Sequence, residues 1–260
     1  MKCPYCLSSR VRVWHQDRDT LYQCLDCRSN IKVFCSAVDV YDETYFQEHY
    51  EQVYGKSYEE DEPMIRGYAL RRLKEIQKHV PSGVLVDVGA AYGFFLDEAQ
   101  RMGYEVAGVE IHEASIRYIH DRFGYPVYRS LELVDGKVDV VTAWFTLEHM
   151  VDVEGFMETL VQKLRPGGCL ALGLPNGYGA FARFRSHEYF ARRPVEHCTE
   201  PSLKGVYALL KRYGFRVVHE EIFGLHPERV GLPATSFWQN LQKRLRLGDT
   251  FEVYALKEKR

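Results

Sequence analysis

The 260-residue chain carries 34 Lys and Arg against 36 Asp and Glu, a formal net charge of −2, and 46% of its residues are hydrophobic. That composition supports a buried core, excludes a disordered or low-complexity scaffold, and offers no global basic excess for nucleic acid. No apolar run approaches the ~20 residues of a membrane span and Met1-Lys2-Cys3-Pro4 opens no signal-peptide segment, so the expected setting is cytoplasmic with no membrane partner.

Residues 1–35 are polar, cysteine-punctuated and too short to hold a core without a staple. Four of the seven cysteines, Cys3, Cys6, Cys24 and Cys27, lie here as two C-x2-C pairs separated by seventeen residues. Each pair can form a knuckle, and two knuckles bring four thiolates to the tetrahedral geometry that zinc takes. Val11–Trp14 and Thr20–Gln23 read as the arms of a ribbon hairpin between them. Redox pairs prefer a strand-to-helix setting, so metal is the better reading. Four sulfur ligands close the coordination sphere, which makes the zinc structural. Whether the ribbon also docks a protein, an RNA or a carrier-bound substrate stays open. An odd cysteine count without a secretion signal argues for reduced thiols, and Cys35, Cys169 and Cys198 read as packing residues.

Residues 36–80 read as a helical connector or lid. Tyr45, Phe46, His49, Tyr50 and Tyr54 cluster at helical spacing, and a second helix runs from Pro63 toward His79, with the proline in a first turn that tolerates it. From residue 81 short β-branched runs alternate with helical segments. The strands are placed at Val84–Val88, Glu105–Val109, Pro126–Tyr128, Val138–Ala143, Cys169–Leu174, Phe215–Glu221 and Phe251–Leu256. The helices between them are Gly93–Met102, Glu113–Arg122, Val153–Leu164 and Ser202–Tyr213. The alternation predicts an α/β fold with a mostly parallel seven-stranded sheet and helices on both faces, in a domain spanning 81–260. Two aromatic, Arg- and Gly-containing insertions, at about 175–201 and 223–249, follow strand ends, where open α/β sheets bind ligands.

Asp87 stands near the end of the first sheet strand, and Gly89, Ala90, Ala91 and Gly93 form the turn into the next helix. Small residues there let a ligand approach the backbone, and a turn at a helix N-terminus presents amide hydrogens. The spacing D-x-G-x-x-x-G is not a dinucleotide fingerprint. Glu110 ends the following strand, 17 positions after Gly93, where a carboxylate can accept from ribose hydroxyls. Trp144-Phe145-Thr146-Leu147-Glu148-His149, then Leu164-Arg165-Pro166-Gly167-Gly168 and Leu174-Pro175-Asn176 follow in order.

With these motifs, residues 80–222 resemble the class I S-adenosylmethionine-dependent methyltransferases, in particular the branch containing ubiquinone-type O-methyltransferases. The resemblance implies a Rossmann-like methyltransferase sheet. It implies that Asp87, Gly89, Ala91 and Gly93 hold the methionine part of S-adenosylmethionine, that Glu110 binds its ribose, and that Ile111 lies beside adenine. Leu131 and Glu132 would meet the adenine edge, although Glu132 also reads as a solvated loop acid. Trp144 and Phe145 would stand near the transferred methyl, Phe145 narrowing the channel where many relatives carry a smaller or acidic residue.

Methyl transfer to a hydroxyl requires alignment, exclusion of water and removal of a proton. His149 is a candidate base, but the Glu148-His149 pair recurs in the resembled family whatever the acceptor, which favours a loop-stabilising role. His197, in Val195-Glu196-His197-Cys198-Thr199, is a comparable candidate. Arg183 and Arg185, with Arg192 and Arg193 nearby, either clamp an anionic substrate or form a solvated face. The sequence thus points to an S-adenosylmethionine-dependent methyltransferase for a small molecule such as a sugar or polyketide, with O-methylation favoured. The alternatives are an RNA or protein methyltransferase that uses the ribbon for recognition, and a cofactor-binding adaptor without turnover.

Overall fold

A computed structural model describes residues 1–16, 20–32 and 55–259. Cys35 and the aromatic cluster from Tyr45 to Tyr54 lie outside the described residues. Hairpin strands β1 (Val11–Gln16) and β2 (Thr20–Cys24) are followed by a short β3 (Asn30–Lys32). Helix α1 (Glu62–Gln77) starts with Pro63 in its first turn. The alternating region then gives β4 (Gly83–Val88), α2 (Phe94–Arg101), β5 (Tyr104–Val109), α3 (Glu113–Phe123), β6 (Val127–Tyr128), β7 (Val138–Trp144), α4 (Val153–Lys163) and β8 (Leu164–Pro175). The insertion after β8 contains two short helices, α5 (Ala180–Phe184) and α6 (Ser186–Ala191), and the two-residue strand β9 (Thr199–Glu200). Helix α7 (Leu203–Arg212), β10 (Phe215–Phe223), α8 (Ser236–Arg244) and β11 (Thr250–Lys257) complete the chain.

Seven strands form one sheet in the order β10-β11-β8-β7-β4-β5-β6. The pairs β4–β5, β4–β7 and β5–β6 are parallel, with Val88 opposite both Val109 and Ala143. The last four residues of β4 are buried, which is why Val84-Leu85-Val86-Asp87-Val88 reads as a nearly continuous apolar run rather than an alternation. The chain leaves β4 for β5 on one side and returns at β7 on the other, so the carboxyl end of β4 is the sheet's switch point.

The chain divides into two compact units. One contains Val38–Trp144, Gly155–Ala171 and Leu256–Arg260; the other contains Met1–Ala37, Phe145–Glu154 and Leu172–Ala255. In the second unit a four-stranded sheet runs β1-β2-β3-β9, with Asn30 opposite Glu200 and Ile31 opposite Thr199. The two insertions meet at their bases within this unit. Asn176 Nδ2 donates to Gly248 O at 2.8 Å, and the Ala180 amide donates to Leu247 O at 2.8 Å. Cys169 is a buried free thiol. Cys198 is disulfide-bonded, which corrects its reading as a packing thiol: an odd total excludes complete pairing but not a single pair.

Candidate functional site

In the unit built on β4, β5 and β7, the strand ends bring two carboxylates to the turn at 89–93. Asp87 is 2% exposed, and its Oδ1 accepts a 2.6 Å hydrogen bond from Thr142 Oγ1 on β7. Burial pushes the Asp87 carboxyl up to about 8, with the Glu110 charge adding to the rise and Thr142 and Arg72 opposing it. Glu110 is also buried; its Oε2 accepts from the Ala91 amide at 2.9 Å, and its Oε1 from the amides of Ile111 at 2.7 Å and His112 at 2.9 Å. Desolvation raises its pKa above the ordinary value despite those three donors.

The turn itself is left-handed at Gly89 (φ 78°), Ala91 (φ 48°) and Gly93 (φ 76°). Gly93 meets two demands: its φ favours glycine, and an added Cβ would stand 2.9 Å from Ile119 Cγ1. The amides of Gly89 and Ala90 donate to Val109 O, that of Ala91 to Glu110, and that of Gly93 to Ala90 O. The expectation that this turn offers amide hydrogens to a ligand is therefore corrected at these four positions. The hydrogens are used to fold the turn against β5, and what the turn presents is carboxylate. That chemistry suits a cation carrying hydroxyl groups and disfavours a phosphate.

Leu131 is buried, Ile111 is 49% exposed, and Glu132 is exposed with Oε1 accepting from Thr159 Oγ1 at 2.7 Å, which holds its carboxyl below the usual range. Trp144 has the Arg72 guanidinium 4.1 Å from its ring centroid and Phe95 at 5.4 Å. Tyr58 packs its ring edge-on to Tyr92 at 5.2 Å and stacks on Phe94 at 5.8 Å. Its phenol is pushed up by burial and by the charges of Asp87 and Glu110. Tyr58 and Arg72 thus belong to the surroundings of the two carboxylates; their signal in the sequence was only an aromatic and a cation on one connector.

In the other unit the two candidate histidines are neighbours, ring centroids 4.7 Å apart and nearly perpendicular at 83°. His197 Nδ1 lies 2.7 Å from Glu200 Oε1 on β9. Glu200 also takes Tyr189 Oη–H at 2.6 Å on Oε2 and faces Arg193 Nε at 3.2 Å, and both Arg193 and Glu200 side chains are 2% exposed. Burial alone would push the Glu200 carboxyl up, but His197, Arg193 and Tyr189 outweigh it and hold the carboxyl low. For His197 burial works against the charged form, and Glu200 and Glu148 outweigh it, so its pKa is raised. His149 is pushed down to about 3 by burial and by the charge on His197, and Glu148, 1% exposed, is pushed up to about 7 by burial. Glu200 and Tyr189 were not expected at a site, and Arg193 was expected only as part of the arginine run, as a clamp for an anionic substrate or a solvated face. The signal that could have found Glu200 is its i,i+3 spacing from His197. Phe145 is 44% exposed with φ 54°, and its amide donates to Gly173 O at 2.8 Å.

The arginine run splits. Arg193 is buried on Glu200, whereas Arg183 is exposed with its guanidinium 4.7 Å from the Tyr178 ring, and Arg185 forms a surface ion pair with Glu188 at 3.4 Å. The four N-terminal cysteines converge: their sulfurs all lie within 4.8 Å of one another, with Cys3–Cys27 and Cys6–Cys24 at 3.5 Å. A zinc ion with bonds of about 2.3 Å to four sulfurs spaces them about 3.8 Å apart, so this donor set fits a closed tetrahedral zinc site.

The family model described as a methyltransferase domain matches residues 59–220, well over half of the chain. The chain belongs to the methyltransferase-domain family. Among curated members, the mitochondrial ubiquinone biosynthesis O-methyltransferase of Homo sapiens is 29% identical over 116 residues, 38% of this chain and 31% of that protein. The ubiquinone biosynthesis O-methyltransferase of Paramagnetospirillum magneticum is 33% identical over 92 residues, 32% of this chain and 37% of that protein. The chain spans roughly a third of the length of the curated relatives it matches. Among solved structures, a SAM-dependent methyltransferase from Archaeoglobus fulgidus aligns with a TM-score of 0.60 at 18% identity, covering 80% of this chain and 98% of that one, a likeness of fold. No helix among the described residues is long and apolar enough to cross a membrane.

Proposed function

We propose that this chain is an S-adenosylmethionine-dependent methyltransferase that methylates a small-molecule acceptor, a sugar, polyketide or related metabolite, at a hydroxyl. The observation that carries this reading is the pair of buried carboxylates, Asp87 and Glu110, set at a turn whose amide hydrogens at 89–91 and 93 are already used. The name of the ubiquinone biosynthesis O-methyltransferases supports a hydroxyl on a small molecule. When bound, S-adenosylmethionine supplies an electrophilic methyl on a sulfonium. Asp87 and the turn at Gly89, Ala90, Ala91 and Gly93 would hold its methionine part and Glu110 its ribose. Ile111, Leu131 and Glu132 would border the adenine, and Trp144 and Phe145 the methyl.

Within the other unit, His197 is the better base of the two histidines. Its Nδ1 faces Glu200, which leaves Nε2 to take the acceptor proton and lets the carboxylate stabilise the imidazolium that results. His149, held neutral by burial, suits a neighbour that shapes the pocket more than a base. Arg183 is the remaining candidate for an anionic substituent of the acceptor, with Arg185 less available because of Glu188. We read residues 1–35 as a ribbon with a structural zinc on Cys3, Cys6, Cys24 and Cys27, 36–80 as a connector, 81–260 as the transferase domain, and the cytoplasm as its place. Isothermal titration of zinc-loaded protein with S-adenosylmethionine and S-adenosylhomocysteine tests the core of the reading, and absence of binding to folded protein overturns it. Labelled methyl appearing in RNA or protein instead of a metabolite overturns the choice of acceptor.

A further inference from the structure

The ribbon is woven into the unit that carries His197. Its third strand, β3, pairs with β9, so that Asn30 and Ile31 lie opposite Glu200 and Thr199. The Lys32 amide donates to Cys198 O at 2.9 Å, and Asn30 Nδ2 donates to Gly177 O at 2.9 Å. Tyr5, in the first knuckle between Cys3 and Cys6, is fully buried, and its hydroxyl lies 2.7 Å from Thr199 Oγ1. From the second knuckle, Cys27 O accepts the Ser202 hydroxyl, and Ser29 Oγ accepts the Ser202 amide at 3.1 Å. Both knuckles therefore clasp the segment 199–202, and Glu200 sits inside that clasp.

Glu200 faces into the histidine cluster with every partner pointing the same way. His197, Tyr189 and Arg193 converge on its two oxygens, while the Arg193 guanidinium also donates to His197 O. The groups facing His197 are Glu200 from β9, Glu148 and His149 from the turn before α4, and Arg193 from the end of α6. Of these, Glu200 lies on the strand that pairs with the ribbon.

We propose that Glu200 is a positioning residue for His197 and that the four-cysteine module is an internal brace setting Glu200, so that metal in the ribbon fixes the geometry of the histidine cluster from within. Zinc, when bound, cross-links the two knuckles; Tyr5, Ser29 and the β3 edge carry that constraint to Thr199, Glu200 and Ser202. The inference rests on His197 as the base only for its effect on turnover, not for its effect on the imidazole.

The test follows the His197 imidazole by NMR in full-length protein, with zinc present and after chelation, in the wild type and in the Glu200→Gln, Glu200→Asp and Tyr5→Phe variants. Gln keeps an acceptor for Nδ1–H but removes the charge, so the His197 pKa falls by about 1–3 units, and Asp restores part of the shift. Tyr5→Phe removes only the hydroxyl on Thr199 and leaves all four cysteines in place. It broadens or splits the His197 resonance in zinc-loaded protein, and chelation produces the same change more fully, while affinity for S-adenosylmethionine stays within about twofold. Should chelation unfold the chain, the Tyr5→Phe and Thr199→Val variants still report on the brace. A His197 resonance unmoved by Glu200→Gln overturns the positioning role, and one unmoved by Tyr5→Phe and Thr199→Val overturns the brace. If the NMR shift occurs but the pH profile of methyl transfer does not follow it, the brace stands and the assignment of His197 as base fails.

Discussion

Asp87 makes the free chain's stability depend on pH in a direction opposite to that of an ordinary salt-bridged carboxylate. Its pKa rises from 3.8 to about 8 in the fold, because burial penalises the charged form more than Thr142 and Arg72 favour it. Between those two values the folded chain binds a proton that the unfolded chain has released, so the contribution is fully present below about pH 4 and is lost as pH rises through 8. At about 1.4 kcal/mol per unit, the loss amounts to about 4 kcal/mol by pH 7 and about 6 kcal/mol above pH 9, a large share of a typical domain's stability. Asp87→Asn keeps an acceptor for Thr142 Oγ1 and cannot ionise. Urea unfolding followed by circular dichroism at steps from pH 4.5 to 8.5 should show variant and wild type converging at the acid end, with the variant more stable at the alkaline end. Binding of a sulfonium should reverse the penalty, since a cation favours the ionised carboxyl. Calorimetry in buffers of different ionisation enthalpy should then register release of up to about one proton near pH 7, absent in the variant. Parallel stability curves for the two proteins, or a proton count that Asp87→Asn leaves unchanged, would refute the reasoning.

Glu110→Ala should weaken S-adenosylmethionine binding by about 2–4 kcal/mol, roughly 30- to 1000-fold by calorimetry, because it removes a charged acceptor and strands the amides of Ala91, Ile111 and His112. Cys24→Ser should drop the zinc content measured by mass spectrometry from one per chain toward none, since three sulfurs leave the tetrahedron open. Gly205→Ala places a methyl 2.2 Å from Ser29 Oγ, and overpacking of about 1–3 kcal/mol should outweigh the gain in helix propensity of about 1 kcal/mol. The expected signs are a lower melting temperature and faster zinc release to a colorimetric chelator; an unchanged release rate would count against tight docking of the second knuckle. Gly93→Ala combines a left-handed backbone with a 2.9 Å approach to Ile119, so it should lower stability and cofactor affinity together.

Local chemistry made much of this protein readable before its fold was seen. The apolar run at Val84–Val88 and the alternation of strands with amphipathic helices gave the parallel sheet, because burial on both faces leaves a periodic trace. Strand β8 extends back to Leu164 through Arg165-Pro166-Gly167-Gly168, which reads locally as a turn. Gly167 keeps the left-handed backbone of a turn inside that strand, with φ 81°. Strand β9 left no trace, since two residues carry no period and the partner strand lies about 170 residues earlier. The arginine run offered four equivalent cations, and only tertiary contact separated buried Arg193 from exposed Arg183 and Arg185. The turn at 89–93 was legible in position but not in polarity, because its amides are satisfied by Val109 and Glu110 from the next strand.

The pairing of β3 with β9 also orders events in time. During synthesis the two knuckles are complete once Cys27 has emerged, and they can capture metal at once. The strand that closes the edge of β3 is made only after about 170 further residues, roughly 10–30 s later at ribosomal speeds. Through that interval the nascent chain displays an open strand edge, and Lys32 is the one charge on it to discourage pairing with a neighbouring chain.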